Sequence, residues 1–273
     1  MLRPIALLAA LAALPAAAED KPASDAPESV TLTPAKGEIE PLLTENEPVY
    51  FVMGTRGGTN ARFQLSLKYR LFDRNLGWGR DQPWLSGIYL GYTQTTIWNL
   101  QGESKPFRDT SFRPSMFWAW ERTDDKTWID ALRAGFEHES NGKEGADSRS
   151  INILFVRPEW RWDLANGKRL EFLPRIYGYL DKESNPDIER YRGYVDWRVR
   201  YGNEARSWSA MARLGTAGKG SLTLDWFERT RVVGFGPMSG YFHVQFFTGY
   251  GEDILNYNQR FQSQIRLGFA IVP

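Results

Sequence analysis

Apolar and polar residues alternate along most of the chain after about residue 48. One segment shows the pattern clearly, with Phe63, Leu65, Leu67, Tyr69 and Leu71 alternating with Arg62, Gln64, Ser66, Lys68 and Arg70. A period of two residues is that of a β-strand, because successive side chains of a strand point to opposite faces. One of these two faces is too charged to lie in the core of a soluble protein. The alternation therefore predicts a strand whose apolar face contacts lipid and whose polar face lines the interior of a barrel.

The same alternation recurs in about twelve segments separated by turn-rich stretches. We predict strands at about 48–56, 61–73, 84–98, 112–123, 128–140, 148–163, 169–181, 190–202, 206–216, 220–230, 239–250 and 260–272. An even number of long antiparallel strands fits a closed barrel in lipid, where every backbone N–H and C=O group must be paired. The predicted fold class is all-β, a transmembrane antiparallel β-barrel of about 12 strands that occupies residues 48–273.

The inward-facing residues of these strands predict what fills the barrel. Arg133 and Glu137 lie on the polar face of one strand, and Arg157 and Glu159 lie on the polar face of the next. Long charged side chains of opposite sign predict a hydrogen-bonded polar interior. A water-filled channel is the alternative.

The first residues predict a secreted protein. A short basic start is followed by an apolar run at residues 5–14, and Pro15 and three alanines follow that run. This run is too short to span a bilayer, which takes roughly 20 apolar residues. We therefore predict a signal peptide at residues 1–18. Residues 19–47 are rich in Pro, Ala, Ser and acidic side chains, which predicts a flexible periplasmic segment. The predicted localisation is the outer membrane of a Gram-negative bacterium, crossed by many strands.

Composition agrees with this prediction and excludes other classes. Aromatic residues make up 14% of the chain, with 11 tryptophans, and outer-membrane barrels carry aromatic girdles at both membrane interfaces. The chain has no cysteine, so it holds neither a disulfide nor a thiolate metal site. Lys and Arg number 34 against 33 Asp and Glu, so the charge gives no reason to expect a nucleic-acid partner.

Three polar residues stand on the apolar face of the fifth and sixth predicted strands. His138 and Ser140 continue the apolar face of the fifth strand, and Asn152 lies on that of the sixth. If the hairpin is symmetric about Gly145, then His138 lies opposite Asn152 and Ser140 lies opposite Ser150. Polar groups that face lipid are costly and usually functional. The alternative is that they mark the point where the two strands leave the membrane.

The chemistry of these three residues suggests a hydrolase. A serine hydroxyl becomes a nucleophile when a base removes its proton, and histidine is the usual base. An asparagine carbonyl oxygen can fix the tautomer of that histidine by accepting a hydrogen bond from its ring N–H. The only other histidine, His243, shares its face with Gln245, so we predict that it lies in the barrel interior.

These residues lie in a motif that resembles a known family. The run His138-Glu139-Ser140-Asn141-Gly142 is followed by Ser148-Arg149-Ser150-Ile151-Asn152, and together they resemble the active-site hairpin of the outer-membrane phospholipase A family. Two further blocks occur in the family's order. They are Tyr92-Thr93-Gln94-Thr95 with Pro106-Phe107-Arg108-Asp109-Thr110 and Pro114, and Asn185-Pro186-Asp187-Ile188 with Tyr191, Gly193 and Tyr194.

The resemblance implies a twelve-stranded barrel that hydrolyses acyl esters of phospholipids with Ca²⁺ and is active as a homodimer. By position, Ser140 would be the nucleophile, His138 the base and Asn152 the residue that orients the base. The family's oxyanion hole uses a backbone N–H in the turn, which corresponds to Gly142. The dimer contact of the family uses a glutamine at the position of Gln94.

The resemblance also implies Ca²⁺ ligands. They are the Ser148 side chain, the Lys143 backbone carbonyl and Ser104 of the partner subunit. The family often has arginine at the position of Lys143, but a carbonyl ligand tolerates that change. A second Ca²⁺ site would use the loop before the Asn-Pro-Asp-Ile motif. That loop offers Asp181, Glu183 and Ser184, of which we take Glu183 as the candidate with the register left open.

The outward position of Gln94 gives an independent reason to expect a homodimer. An amide that faces lipid is expensive unless it is paired, and across a symmetric contact it could pair with its own copy. The resemblance implies a calcium-dependent phospholipase of the A1/A2 and lysophospholipase type, with phospholipid as substrate and dimerisation as the switch, and Gln94 agrees with the dimer. The alternatives are a passive outer-membrane porin and a non-catalytic structural barrel.

Overall fold

The structure is a computed structural model that describes residues 41–55, 58–123, 127–230 and 240–273. The predicted signal peptide and residues 19–40 of the predicted leader lie outside the described residues.

The described residues form fourteen strands and two short α-helices. The strands are β1 (Leu43–Glu45), β2 (Val49–Gly54), β3 (Asn60–Arg70), β4 (Ile88–Asn99), β5 (Phe107–Glu121), β6 (Ala131–Ser140), β7 (Ser150–Asp163), β8 (Arg169–Phe172), β9 (Arg175–Asp181), β10 (Val195–Gly202), β11 (Arg206–Leu214), β12 (Gly220–Arg229), β13 (Tyr241–Tyr250) and β14 (Arg260–Val272). The helices are α1 (Gly77–Asp81) and α2 (Glu189–Arg192). No helix in these parts of the chain is long and apolar enough to cross a membrane.

The strands close into a barrel. From β2 onward each strand pairs antiparallel with the next strand in sequence, except that β8 and β9 do not pair with each other, and β14 pairs with β2 to complete the ring. Strands β8 and β9 both lie between β7 and β10, so they count as one barrel strand. Pro174 lies between them and has no N–H for the ladder, which explains the interruption. Strand β1 pairs with β3 on the side that β2 occupies. The predicted barrel of 12 strands is confirmed.

The two faces of the barrel differ as the alternation predicts. On β3, Leu65 and Tyr69 are exposed on the outer face, whereas Ser66 and Arg70 are buried inside. Outward apolar residues occur on most strands, so the outer surface is the apolar surface. A soluble protein buries its apolar residues, whereas this barrel exposes them and buries polar ones, as a membrane barrel does.

Ion pairs fill the interior. Glu47 accepts hydrogen bonds from Arg198 at 2.8 Å and from Arg157 at 3.4 Å. Other interior pairs are Glu139–Arg192, Glu137–Arg175 and Asp196–Arg213, at 2.9, 3.0 and 2.7 Å. A buried charge is tolerated when it is paired, and the prediction of a hydrogen-bonded polar interior holds for these residues.

His243 lies inside the barrel, as predicted. Its side chain is fully buried, and its Nε2 atom lies 2.8 Å from the Asp225 carboxylate. This histidine is therefore remote from the outer surface.

Several predicted boundaries are wrong. The eighth predicted strand begins at residue 190, but Glu189–Arg192 is a helical turn and β10 begins at Val195. Strand β5 begins five residues earlier than predicted, at Phe107, and the first part of the third predicted strand is a 3₁₀ turn at Pro83–Gly87. Residues 43–45, within the predicted flexible segment, form β1.

Candidate active site

The β6–β7 hairpin has the predicted register. His138 pairs with Asn152, and Ser140 pairs with Ser150. The intervening residues Glu137 and Glu139 are buried in the interior, so His138 and Ser140 lie on the outer face. The alternation of side chains along these strands thus brings His138, Ser140 and Asn152 together near one end of the barrel.

A hydrogen bond joins the histidine to the asparagine. The His138 Nδ1 atom lies 2.8 Å from the Asn152 Oδ1 atom. An amide oxygen only accepts hydrogen bonds, so Nδ1 carries the proton and Nε2 is left as an acceptor. Ser140 lies two residues further along the same face, and its hydroxyl makes no hydrogen bond to any residue that the structure describes. The hydroxyl is thus available to Nε2 after a side-chain rotation.

A carboxylate contacts the other end of the same amide. Asn152 Nδ2 donates a hydrogen bond of 3.2 Å to Asp181 Oδ2. The sequence predicts Asp181 only as part of a possible cation loop and does not reveal this contact. Alternation gave no signal for it, because the inward residues of β9 are Arg175, Tyr177 and Tyr179, and Asp181 continues that series.

The turn after Ser140 presents a free backbone donor. Gly142 has a φ of +65°, in the left-handed region that glycine adopts without steric cost. Its N–H donates no hydrogen bond to the described residues. A Cβ atom at this position would lie 3.1 Å from the Phe112 ring. The turn therefore places an unpaired N–H two residues from Ser140, as an oxyanion donor requires.

The buried side chain of Asn141 holds this turn in shape. Its Oδ1 atom accepts from the backbone N–H groups of Lys143 and Arg149, at 3.3 and 2.9 Å. Its Nδ2 atom donates to Asp109 Oδ1 at 3.2 Å and to the Asp147 carbonyl at 2.9 Å. The sequence presents Asn141 only as part of the motif, whereas these four hydrogen bonds show its structural role.

The loop at residues 251–259 connects the site to the rest of this end of the barrel. Asp109 Oδ2 accepts from the Leu255 N–H at 3.0 Å, and the Tyr257 hydroxyl donates to Asp187 at 2.6 Å. Burial and the neighbouring Asp187 carboxylate raise the pKa of Tyr257 well above its ordinary value. The Asn-Pro-Asp-Ile block and the β6–β7 hairpin are therefore both connected to this loop.

The predicted Ca²⁺ ligands supply oxygen atoms of the type that Ca²⁺ binds. Among the described residues, the Ser148 hydroxyl makes no hydrogen bond and the Lys143 carbonyl accepts none. Both groups lie in the turn between β6 and β7. Ca²⁺ takes six to eight oxygen ligands, and the described residues contain no cluster of three or more acidic or histidine side chains that could hold a metal. The Ser148 hydroxyl and the Lys143 carbonyl fit Ca²⁺ by type and would form part of its shell.

The other two predicted ligands lie in exposed loops. Ser104 is exposed in the loop between β4 and β5, where a second molecule can reach it. Glu183 is exposed, and its backbone N–H donates to Asp181 Oδ1 at 3.1 Å. Neither side chain contacts Ser148 or Lys143, so both stay predictions.

Gln94 lies on the outer face, as predicted, in one cross-strand row with the candidate nucleophile. Gln94 pairs with Phe112 on β5, and Phe112 pairs with Ser140 on β6. The Gln94 amide is partly satisfied within the chain, because it accepts from the Tyr92 hydroxyl at 3.0 Å and donates to Thr96 at 3.4 Å.

Comparisons with known proteins agree with the fold and show the family. The sequence profile of the family described as Phospholipase A1 matches residues 33–271. Phospholipase A1 of Escherichia coli (strain K12) is 30% identical over 219 residues, which cover 77% of this chain and 68% of that protein. A putative phospholipase A1 of Neisseria meningitidis serogroup B is 30% identical over 194 residues, or 66% of this chain. The matched part spans about half of that protein, 48% of its length.

Solved structures show the same fold. The outer membrane phospholipase A from Escherichia coli superimposes with a TM-score of 0.67 at 24% identity, over 84% of this chain and 91% of that one. The Salmonella typhi outer membrane phospholipase dimer with bound calcium superimposes with the same TM-score and identity. The family match over nearly the whole described barrel decides the assignment: this chain belongs to the phospholipase A1 family, as an outer-membrane β-barrel.

Proposed function

We propose that this protein hydrolyses the acyl ester bonds of membrane phospholipids and lysophospholipids, that it requires Ca²⁺, and that it acts as a homodimer. Ser140 is the nucleophile, His138 the general base and Asn152 the residue that orients the base. The observation that carries the proposal is the 2.8 Å contact of His138 with Asn152 beside Ser140, on the lipid-facing surface.

The chain's own residues account for both halves of an acyl transfer. Nε2 of His138 removes the proton from the Ser140 hydroxyl as Oγ attacks the ester carbonyl carbon. The protonated imidazole then gives that proton to the departing alcohol of the lipid, which leaves an acyl group on Ser140. A water molecule attacks the acyl group while His138 again acts as base, and the protonated His138 then returns this proton to the Ser140 oxygen as the bond to the acyl group breaks and the fatty acid departs. The Gly142 N–H donates to the oxyanion formed in each half.

The outer surface next to the site is suited to an acyl chain. The pair Phe136–Leu154 follows the pair His138–Asn152, and Ala134–Val156 follows next in the direction away from the turn. Phe136, Leu154 and Val156 are exposed on this outer face. An acyl chain lying along these residues would keep its ester group at the level of Ser140, so the substrate can stay in the membrane.

The Ca²⁺ requirement rests on the oxygen donors of the turn. The Ser148 hydroxyl and the Lys143 carbonyl would hold the ion, with Ser104 of the partner subunit completing part of the shell. When bound, Ca²⁺ would supply positive charge close to the developing oxyanion. The solved relative with bound calcium supports this choice of ion.

The dimer requirement rests on the position of Gln94. Neighbouring strands lie about 4.8 Å apart, so Gln94 and Ser140, two strands apart, are separated by about 10 Å across the outer surface. A second barrel that packed on β4 would cover the open side of the site and bring its own loop at residues 100–106 close. Exclusion of water from the acyl-binding surface is one way in which such a contact would raise the rate.

The passive porin is the competing function. It requires an open interior, whereas the ion pairs of Glu47, Glu137, Glu139 and Asp196 lie across the lumen. A purified barrel that hydrolyses nothing but conducts ions in planar bilayers would favour the porin.

Fatty-acid release from phospholipid in mixed micelles tests the proposal. The refolded wild type should release fatty acid with Ca²⁺, and it should release none with EDTA. Ser140→Ala should abolish release, whereas Ser150→Ala, which changes the serine directly opposite on β7, should retain it. Equal release from wild type and Ser140→Ala would contradict the proposal.

A further inference from the structure

We propose that Asp181 is a positioning residue of this site: its carboxylate fixes the orientation of the Asn152 amide and thereby selects the tautomer of His138. This inference rests on the proposed function and deepens it. Asp181 touches neither the nucleophile nor the base, and it acts through Asn152 alone.

The hydrogen-bonding rules of the three groups lead to this role. An asparagine amide can present either its oxygen or its NH₂ group to the histidine, and the two orientations have the same shape. A carboxylate accepts hydrogen bonds and donates none. With Asp181 Oδ2 at 3.2 Å from Asn152 Nδ2, the NH₂ group is committed to Asp181 and the oxygen is left for His138.

The orientation of the amide decides the chemistry of the imidazole. With the Asn152 oxygen at 2.8 Å, Nδ1 of His138 must carry the proton, so Nε2 has the lone pair that removes the Ser140 proton. The flipped amide would donate to Nδ1 instead. Nε2 would then carry the proton and His138 could not act as the base towards Ser140.

A local irregularity of the sheet brings Asp181 to this position. The pairing of β7 with β9 shifts between Asn152–Asp181 and Ile153–Tyr179, so Leu180 and Asp181 together occupy the place of one residue. Without this β-bulge, Leu180 would lie opposite Asn152, and alternation would point Asp181 into the barrel. Bulges next to active sites often redirect a side chain in this way.

Asp181 is itself held by the loop that follows it. Its Oδ1 atom accepts from the Glu183 backbone N–H at 3.1 Å, which leaves Oδ2 for Asn152. This bond makes Asp181→Asn an informative variant. The new side chain would keep its oxygen on the Glu183 N–H and turn its NH₂ group towards Asn152, which favours the wrong orientation of the Asn152 amide.

Steady-state kinetics with Ca²⁺ and short-chain phospholipid micelles test the role. Loss of a hydrogen bond to a charged group changes an equilibrium or rate constant by about ten- to hundredfold. Asp181→Asn should therefore lower kcat by about that factor and leave KM nearly unchanged. Asp163→Asn removes the carboxylate that pairs with Arg169 at the other end of β7, and it should leave kcat unchanged.

The Asn152→Asp background separates positioning from a structural role. A carboxylate at position 152 accepts from His138 in either orientation, and the native Asp181 carboxylate would then repel it. Adding Asp181→Asn to this background should raise kcat, the opposite of its effect on the wild type. A kcat that falls in both backgrounds would show a merely structural contribution and would overturn the inference.

A spectroscopic measurement tests the tautomer without any turnover. The chain has two histidines, so ¹⁵N-histidine labelling in micelles gives two imidazole spectra, and His138→Ala assigns them. In EDTA, wild-type His138 should be protonated on Nδ1, and Asp181→Asn should shift its population towards Nε2. An unchanged tautomer would overturn the inference even for an active enzyme. Failure of the wild type to release fatty acid would instead count against the proposed function.

Discussion

The proposed oxyanion donor, the Gly142 N–H, gives the sharpest single prediction, because one added methyl group tests it. Gly142→Ala adds a Cβ atom at a residue with φ of +65° and places that atom 3.1 Å from the Phe112 ring. A residue other than glycine in the left-handed region costs roughly 1–2 kcal/mol. The turn can relieve both the backbone strain and the close contact by rotating the peptide that carries the Gly142 N–H.

The rotation has a calculable consequence for catalysis. Loss of one oxyanion-hole donor lowers kcat by about a hundred- to thousandfold, or about 3–4 kcal/mol of transition-state stabilisation. We therefore expect Gly142→Ala to lower kcat by at least about a hundredfold in the fatty-acid release assay. KM should change little, because the donor contacts the oxyanion more strongly than the bound ester.

A second glycine in the same turn provides the matched control. Gly145 has a φ of +61°, and a Cβ atom there meets nothing within 4 Å. Gly145→Ala should therefore cost a similar amount of folding stability in urea, but it should change kcat by less than about fivefold. Equal losses of kcat in the two variants would refute the assignment of Gly142, since backbone strain alone would then explain them.

Three further predictions concern the proposed dimer, the barrel interior and the loop at residues 251–259. Gln94→Ala should lower the association constant of the dimer in detergent by up to about tenfold, measured by cross-linking. An unchanged fraction of cross-linked dimer would show that Gln94 lies outside the contact. Glu139→Gln should destabilise the barrel by about 3–5 kcal/mol in urea unfolding, because it leaves Arg192 buried without its partner at 2.9 Å; a shift below 1 kcal/mol would contradict this. Burial and Asp187 raise the pKa of Tyr257 above its ordinary value of 10, so its contribution to stability is complete below pH 10 and is lost as the pH rises beyond it. Stability should thus fall more steeply above pH 10 in the wild type than in Tyr257→Phe, and parallel curves would contradict the role of Tyr257.

Sequence alternation predicts much of the site because the rule it uses is local. Side chains alternate between two environments that differ as strongly as lipid and a charged interior, so the outward position of His138, Ser140 and Asn152 follows from counting along a strand. The symmetry of the hairpin about Gly145 then gives the pairs His138–Asn152 and Ser140–Ser150, and the structure has both.

The same rule fails wherever the ladder is irregular. Counting along β9 points Asp181 into the barrel, but the bulge opposite Asn152 turns it to the outer face, and no turn residue in the sequence marks that bulge. Alternation also does not predict where a proline or a helical turn interrupts a strand. Pro174 interrupts the seventh barrel strand, and the residues after Asn185 turn into α2 before β10 begins.

Contacts between distant loops could not be predicted from spacing at all. Asp109 accepts hydrogen bonds from Asn141 in the β6–β7 turn and from the Leu255 N–H in the loop at residues 251–259. Asn141 lies 32 residues and Leu255 lies 146 residues after Asp109 along the chain. The antiparallel strand order places these segments at the same end, and closure of the barrel brings the loop at residues 251–259 next to Asp109.

Covalent labelling of the nucleophile tests the central claim most directly. A long-chain alkylsulfonyl fluoride should transfer its sulfonyl group to the Ser140 oxygen with loss of fluoride, and His138 should accept the serine proton. Mass spectrometry of the micellar wild-type protein should then find one adduct on the peptide that contains Ser140. The His138→Ala variant should form no such adduct in the same time. An unlabelled Ser140 in a barrel that still releases fatty acid, or an adduct on another residue, would contradict a nucleophilic serine on the lipid-facing surface.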